Sequence, residues 1–161
     1  MANTGGVCNS FKKELLLGAH QFGSVTIVSR TSLTAPTADA FKIALFLSTA
    51  TINPGTTTYS ATGEAGNSGS YSAGGSTITF LAPDVASQAT AATAFTGPTS
   101  ASYVEWTTFT ATNVDAALVY NDTQGDRTVA VYTFAAQSPS GGTFRLTFPT
   151  NDASTGLLRI A

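Results

Sequence analysis

The chain has 161 residues and a net charge of −2, and charged residues make up only 10% of it, against about 25% in ordinary soluble domains. Such a length suits one domain whose core hides roughly 70% of the unfolded surface, so 1–161 reads as a single unit without a second full-sized domain. The only Lys/Arg cluster is Lys12–Lys13, which argues against a nucleic-acid partner. The one cysteine, Cys8, excludes an internal disulfide.

Residues 1–9 (MANTGGVCN) read as a flexible arm able to order against a neighbour. Met1 to Ser10 has no basic residue ahead of an apolar core, so it does not read as a signal peptide, and folding in a cytoplasm is expected. No apolar run nears the roughly 20 residues that cross a bilayer. In FKKELLLGAHQF, Phe11, Leu15, Gly18 or Ala19 and Phe22 recur at helical spacing, with Leu16 widening the stripe. This predicts a short amphipathic helix with Ser10 as N-cap and Gly23 as its stop.

SVTIVSR (24–30) alternates as a strand, and 33–39, with Pro36, reads as a connection. AFKIALFL (40–47) puts Phe41, Ile43, Leu45 and Leu47 on one face of a strand, with Phe46 on the other implying burial on both sides. Between Ser48 and Gly75 the periodicity vanishes and turn formers dominate. A long surface excursion is expected there, pinned by Tyr59 and Tyr71. Ser76 to Leu81 returns to strand and Pro83 ends it.

Residues 84–102, dominated by Ala, Thr and Ser, read as a loop with a helical turn. SYVEWTTFTA (102–111) reads as a strand, with Tyr103, Glu105, Thr107 and Phe109 opposite Val104, Trp106 and Thr108. Asp115 to Ala135 is the clearest element, a β-hairpin whose turn is supplied by Asn121, Asp122, Gly125 and Asp126. Thr143 to Phe148 follows as a strand, and GLLRIA (156–161) as a last one with Leu158 and Ile160 facing inward. The sum is an all-β chain, an antiparallel β-sandwich or jelly-roll-like barrel with one short N-terminal helix.

Catalytic chemistry is poorly supplied, and a non-enzymatic role is expected. His20, the only histidine, lies on the predicted helix beside Phe22, where a core imidazole is several times commoner than a catalytic base. No GxSxG elbow accompanies it, and Cys8 has no neighbouring base. The glycine run 63–75 lacks the GK[ST] ending of a phosphate loop. Asp122 and Asp126 are too few for a calcium loop, so no cofactor or metal is expected. A charge-poor surface rich in Thr and Ser points to surfaces that rest on other subunits.

FKKELLLGAHQF, DAFKIALFLSTA, TTTYSATGE with GSYSAGG, VEWTTFTA, AALVYNDTQGDRTVAVYTF, GGTFRLTFP and LLRIA, in this order across nearly the whole chain, resemble a family of small virion structural proteins of tailed bacteriophages. SVTIVSRTSLTAP (24–36) and the Ala/Thr-rich 84–102 depart from its pattern. The resemblance implies a capsid cement or decoration protein on the virion surface, assembled in the host cytoplasm. Its implied partners are the major capsid protein and copies of itself, as a homotrimer, with neither nucleic acid nor membrane. The expected contact residues are Val7, Cys8 and Phe11 in the arm and Tyr59 and Tyr71 in the excursion. The alternatives are a tail-associated or fibre-anchoring subunit, and a carbohydrate-binding module with Trp106 and exposed tyrosines as a stacking platform.

Overall fold

A computed structural model describes residues 3–22, 37–82, 84–85, 94–97 and 103–160. The predicted strand 24–30 lies outside the described residues. The expected hairpin is present as two long strands, β7 (Val114–Asn121) and β8 (Arg127–Gln137). Gly125 and Asp126 take consecutive positive φ values of 68° and 60° in the connection, and Asn121 Oδ1 accepts from the Gln124 amide. A short amide side chain and a left-handed pair thus reverse the chain without a long loop.

Around this hairpin lie β2 (Phe41–Leu47), β3 (Ser76–Ile78) and β1 (Gly6–Val7). The five form one antiparallel sheet in the order β1-β8-β7-β2-β3. Register places Ile43, Leu45, Val119, Ala117, Ala130 and Tyr132 on one face, and Ala44, Phe46, Leu118, Ala116 and Val131 on the other. Almost every residue of β2 and β7 is buried, which requires cover on both faces and accounts for their continuous apolar runs.

The first face is covered at one end by Phe11, His20 and Phe22, which gather against Phe41 and Phe80. Its other end is covered by a two-stranded sheet of β6 (Tyr103–Phe109) and β9 (Gly142–Thr147). Here Phe144 meets Trp106, Phe109 and Phe134. The second face receives the excursion, in which Tyr59 packs on Phe46 and stacks on Tyr120. β10 (Leu158–Ile160), β5 (Ala94–Thr96) and β4 (Asp84–Val85) make a third, small sheet. The protein is an antiparallel β-sandwich whose sheets stay open rather than closing into a barrel.

Six local expectations are corrected. The arm is not free from residue 3 onward. The Asn3 side chain bonds Asp115 and the Leu47 carbonyl, the Thr4 amide donates to Ile52, and Gly6–Val7 pairs with β8. The helix, α1 (Asn9–Leu16), has Cys8 at its N-cap without a side-chain bond, and the Ser10 hydroxyl is buried with no partner. It stops at Gly18 rather than Gly23. The amide of Gly18 (φ 67°) bonds the Leu15 carbonyl and the amide of Ala19 bonds that of Glu14, a Schellman closure that a left-handed glycine permits.

In β6, Thr108 adopts a φ of 55° and the register slips between Trp106 and Phe109. Strict alternation would separate these two rings, but the extra residue turns both inward. Within 84–102, Asp84–Val85 and Ala94–Thr96 are strands, because β5 finds partners in both β4 and β10. Finally, Leu158 is buried as expected, whereas Ile160 is 57% exposed.

Candidate functional site

Three features could carry function. The first is a buried polar network where α1 meets the hairpin turn. His20 Nε2 lies 2.8 Å from Glu14 Oε2, and His20 Nδ1 lies 3.0 Å from Asn121 Nδ2. Asn121 Nδ2 also donates to Asp39 Oδ2 at 2.7 Å, while its Oδ1 accepts from Gln124. This fixes the amide orientation, so His20 Nδ1 accepts and Nε2 carries the hydrogen donated to Glu14. Arg127 donates to the other Glu14 oxygen at 2.6 Å.

Burial opposes the Glu14 charge, but the hydrogen bonds from His20 and Arg127 outweigh it and hold the carboxyl below its usual range. Asp39 is held low in the same way, burial being overcome by bonds from Asn121, the Gln21 amide and Gln124. Both ring nitrogens of His20 are engaged and the residue is buried. The arrangement therefore docks the helix onto the sheet and offers no free base. Cys8 is also fully buried, and desolvation pushes its thiol up, away from reactive thiolate character.

The second feature organises the excursion around Glu64. Its carboxylate accepts from the Tyr59 hydroxyl, from the Tyr71 hydroxyl at 2.6 Å and from the Gly74 amide at 2.7 Å. The Tyr71 oxygen also accepts from the Leu45 amide, and the Tyr120 hydroxyl donates to the Gly74 carbonyl. Desolvation and the neighbouring carboxylate raise the Tyr59 and Tyr71 hydroxyls well above the ordinary tyrosine value. Serine hydroxyls complete the job, since Ser70 and Ser68 accept from the Thr107 and Thr110 amides at the β6 irregularity.

The third feature is an open cleft of ≈ 370 Å³ beneath the first face, lined mainly by Tyr132, Phe134, Leu146, Phe148 and Leu157. The Tyr132 hydroxyl donates to the Leu157 carbonyl at 2.8 Å and ties its floor to its wall. Elsewhere on the surface, Leu16 is 91% and Leu17 69% exposed. No group of three or more His, Cys, Asp or Glu side chains that could hold a metal occurs among the described residues. No helix among them is long and apolar enough to cross a membrane.

Of the expected contact residues, Cys8, Phe11 and Tyr71 are buried inside the protomer, so their side chains do not offer themselves to a neighbour. Val7 is half-buried in β1, and Tyr59 is half-buried between Phe46 and Tyr120. Tyr59 and Tyr71 converge on Glu64, whereas the arm residues meet β8 and α1 elsewhere. Trp106 is a core residue whose indole N–H donates to Ser76, which removes it as a sugar-stacking platform. Tyr103 is exposed but has the Arg145 guanidinium 3.9 Å over its ring.

The cleft and the exposed leucine pair were not anticipated. A signal for the pair exists in Leu15-Leu16-Leu17, because successive helical residues point about 100° apart and three in a row cannot all face one core. Comparison with family models, with curated proteins and with solved structures finds no match for the chain.

Proposed function

We propose that the chain is a structural protein of a bacteriophage particle, a cement or decoration protein on the capsid surface that binds the major capsid protein and copies of itself, as a homotrimer. The supporting observation is a charge-poor surface that leaves two adjacent leucines in solvent and keeps an apolar cleft open. A monomer gains nothing from either, whereas a subunit in a lattice hides them and multiplies modest contacts over many copies. The bacteriophage assignment itself rests on the family resemblance of the sequence.

Heads assembled without the protein should lose their genome at a lower temperature than complete heads, and adding purified protein back should restore them. Equal heat resistance with and without it overturns the reading. Copy number separates the head from the tail: hundreds per particle belong to a capsid, and a ring-sized few to a tail.

A further inference from the structure

The leucine pair and the cleft belong to one chain but not to one contact. Leu16 and Leu17 stand at the end of a helix whose orientation is fixed by Phe11 in the core, by the Glu14 bonds to His20 and Arg127, and by the Schellman closure at Gly18. They are a rigid apolar projection, and their exposure shows that they do not fill the cleft of their own protomer. The cleft is equally built. Two of its lining residues are bonded to one another, Tyr132 to the Leu157 carbonyl, and its volume accepts several aliphatic side chains.

The charges around the two features are complementary. Lys12 and Lys13, one turn before the leucines, are exposed and form no ion pair among the described residues, while the intervening Glu14 is turned inward. At the cleft, Asp152 accepts from the Ser154 and Thr155 amides at 2.7 Å each, beside the lining residue Thr155. Those bonds keep it charged, and it makes no ion pair within 4 Å among the described residues, Arg159 acting only from farther off. The projection is thus apolar with a basic flank of two lysines, and beside the apolar cleft stands one acid, Asp152, with no ion pair among the described residues, Arg159 being bonded to the Ala153 carbonyl.

We propose that Leu16 and Leu17 of one copy seat in the Tyr132–Phe148–Leu157 cleft of a second copy, with Lys12 or Lys13 facing Asp152. The contact is head-to-tail, so each copy offers one projection and one receptor, and repetition generates a ring when the rotation closes. This deepens the assembly reading by naming the surfaces that join copies, yet it does not depend on the capsid.

Two variants test it by light scattering on the purified full chain. Leu16→Gln with Leu17→Gln removes the projection and leaves the cleft; Thr155→Trp, at an exposed loop position of the lining, blocks the cleft and leaves the projection. Each variant should keep the wild-type circular dichroism and fall to the mass of one chain, while the wild type has a multiple of it. Mixed in equal amounts, the two variants should form a two-chain complex that grows no further, because one intact projection meets one intact cleft. A wild type with the mass of one chain through the high-micromolar range overturns the proposal, whatever other molecule the cleft then binds. Variants that assemble like wild type, or a mixture that stays at one-chain mass, overturn it equally. A protein that assembles in this way but leaves heads unprotected refutes the capsid role alone.

Discussion

Tyr71 donates its hydroxyl to Glu64 across a turn that neither residue could hold by itself. Tyr71 is almost fully buried, and its oxygen also accepts from the Leu45 amide of the central sheet. One phenol therefore bolts the glycine-rich excursion to β2. Replacing it as Tyr71→Phe leaves a buried amide and a carboxylate oxygen each short of one partner. The expected loss is about 1–3 kcal/mol in urea unfolding. Tyr59→Phe should cost less, because Tyr59 is only half-buried; equal losses would mean that the sheet-directed bond contributes little.

Gly69 has a steric reason to be glycine. A Cβ there would lie 2.2 Å from the Thr107 carbonyl oxygen and 2.4 Å from that of Thr108, and its φ is 56°. Gly18 has a similar φ of 67° but open space around it. Gly18→Ala should therefore cost only the left-handed penalty, about 1 kcal/mol. Gly69→Ala adds a backbone clash and should exceed it by several °C in melting temperature. A Gly69→Ala no worse than Gly18→Ala would show that the β6 irregularity yields easily.

That irregularity also marks where the sequence stops being legible. The hairpin, β2 and the sandwich class follow from apolar periodicity and turn chemistry, which act locally and so leave a trace in the chain. The inward turn of both Trp106 and Phe109 leaves none, because Thr108 takes its positive φ against its own β-branched preference, while its neighbours Thr107 and Thr110 are bonded by Ser70 and Ser68 across 37 and 42 residues. Ser10 failed as a cap for a related reason. The Asn9 amide finds the Pro54 carbonyl, so a tertiary bond meets the first turn at Asn9 and leaves Ser10 inside the helix instead of at its cap. The cleft, assembled from five separate segments, is invisible to any window along the chain.

His20 reads as a core residue in sequence and in structure, but its partners make its removal costly. In His20→Ala, Glu14 stays buried with one fewer donor and Asn121 faces an empty space. The expected destabilisation is about 2–4 kcal/mol. Arg127→Ala removes the other Glu14 donor, yet its guanidinium is about half exposed, and water replaces it at a cost of about 1 kcal/mol or less. Chemical unfolding of both variants and their double mutant tests the order. A larger effect for Arg127 would mean that the ion pair, not the imidazole, seats α1.

The same network fixes how stability should vary with acidity. Glu14 and Asp39 have folded values below their ordinary ones, despite burial, because of the donors around them. A carboxyl lowered on folding stabilises the fold above its unfolded value, and the contribution disappears as pH falls through the folded value. Stability should thus hold near neutrality and decline below about pH 4, where free Asp and Glu titrate. Tyr59, Tyr71, Tyr120 and Tyr132 are shifted the opposite way, first by desolvation. Their contribution is complete below the ordinary tyrosine value of about 10 and is lost as pH rises toward their folded values. Urea midpoints measured across both limbs should fall at each end. In Glu14→Gln with Asp39→Asn the neutral stability should drop and the acid decline flatten, while the alkaline decline stays; an unchanged acid decline would place its origin in other carboxylates.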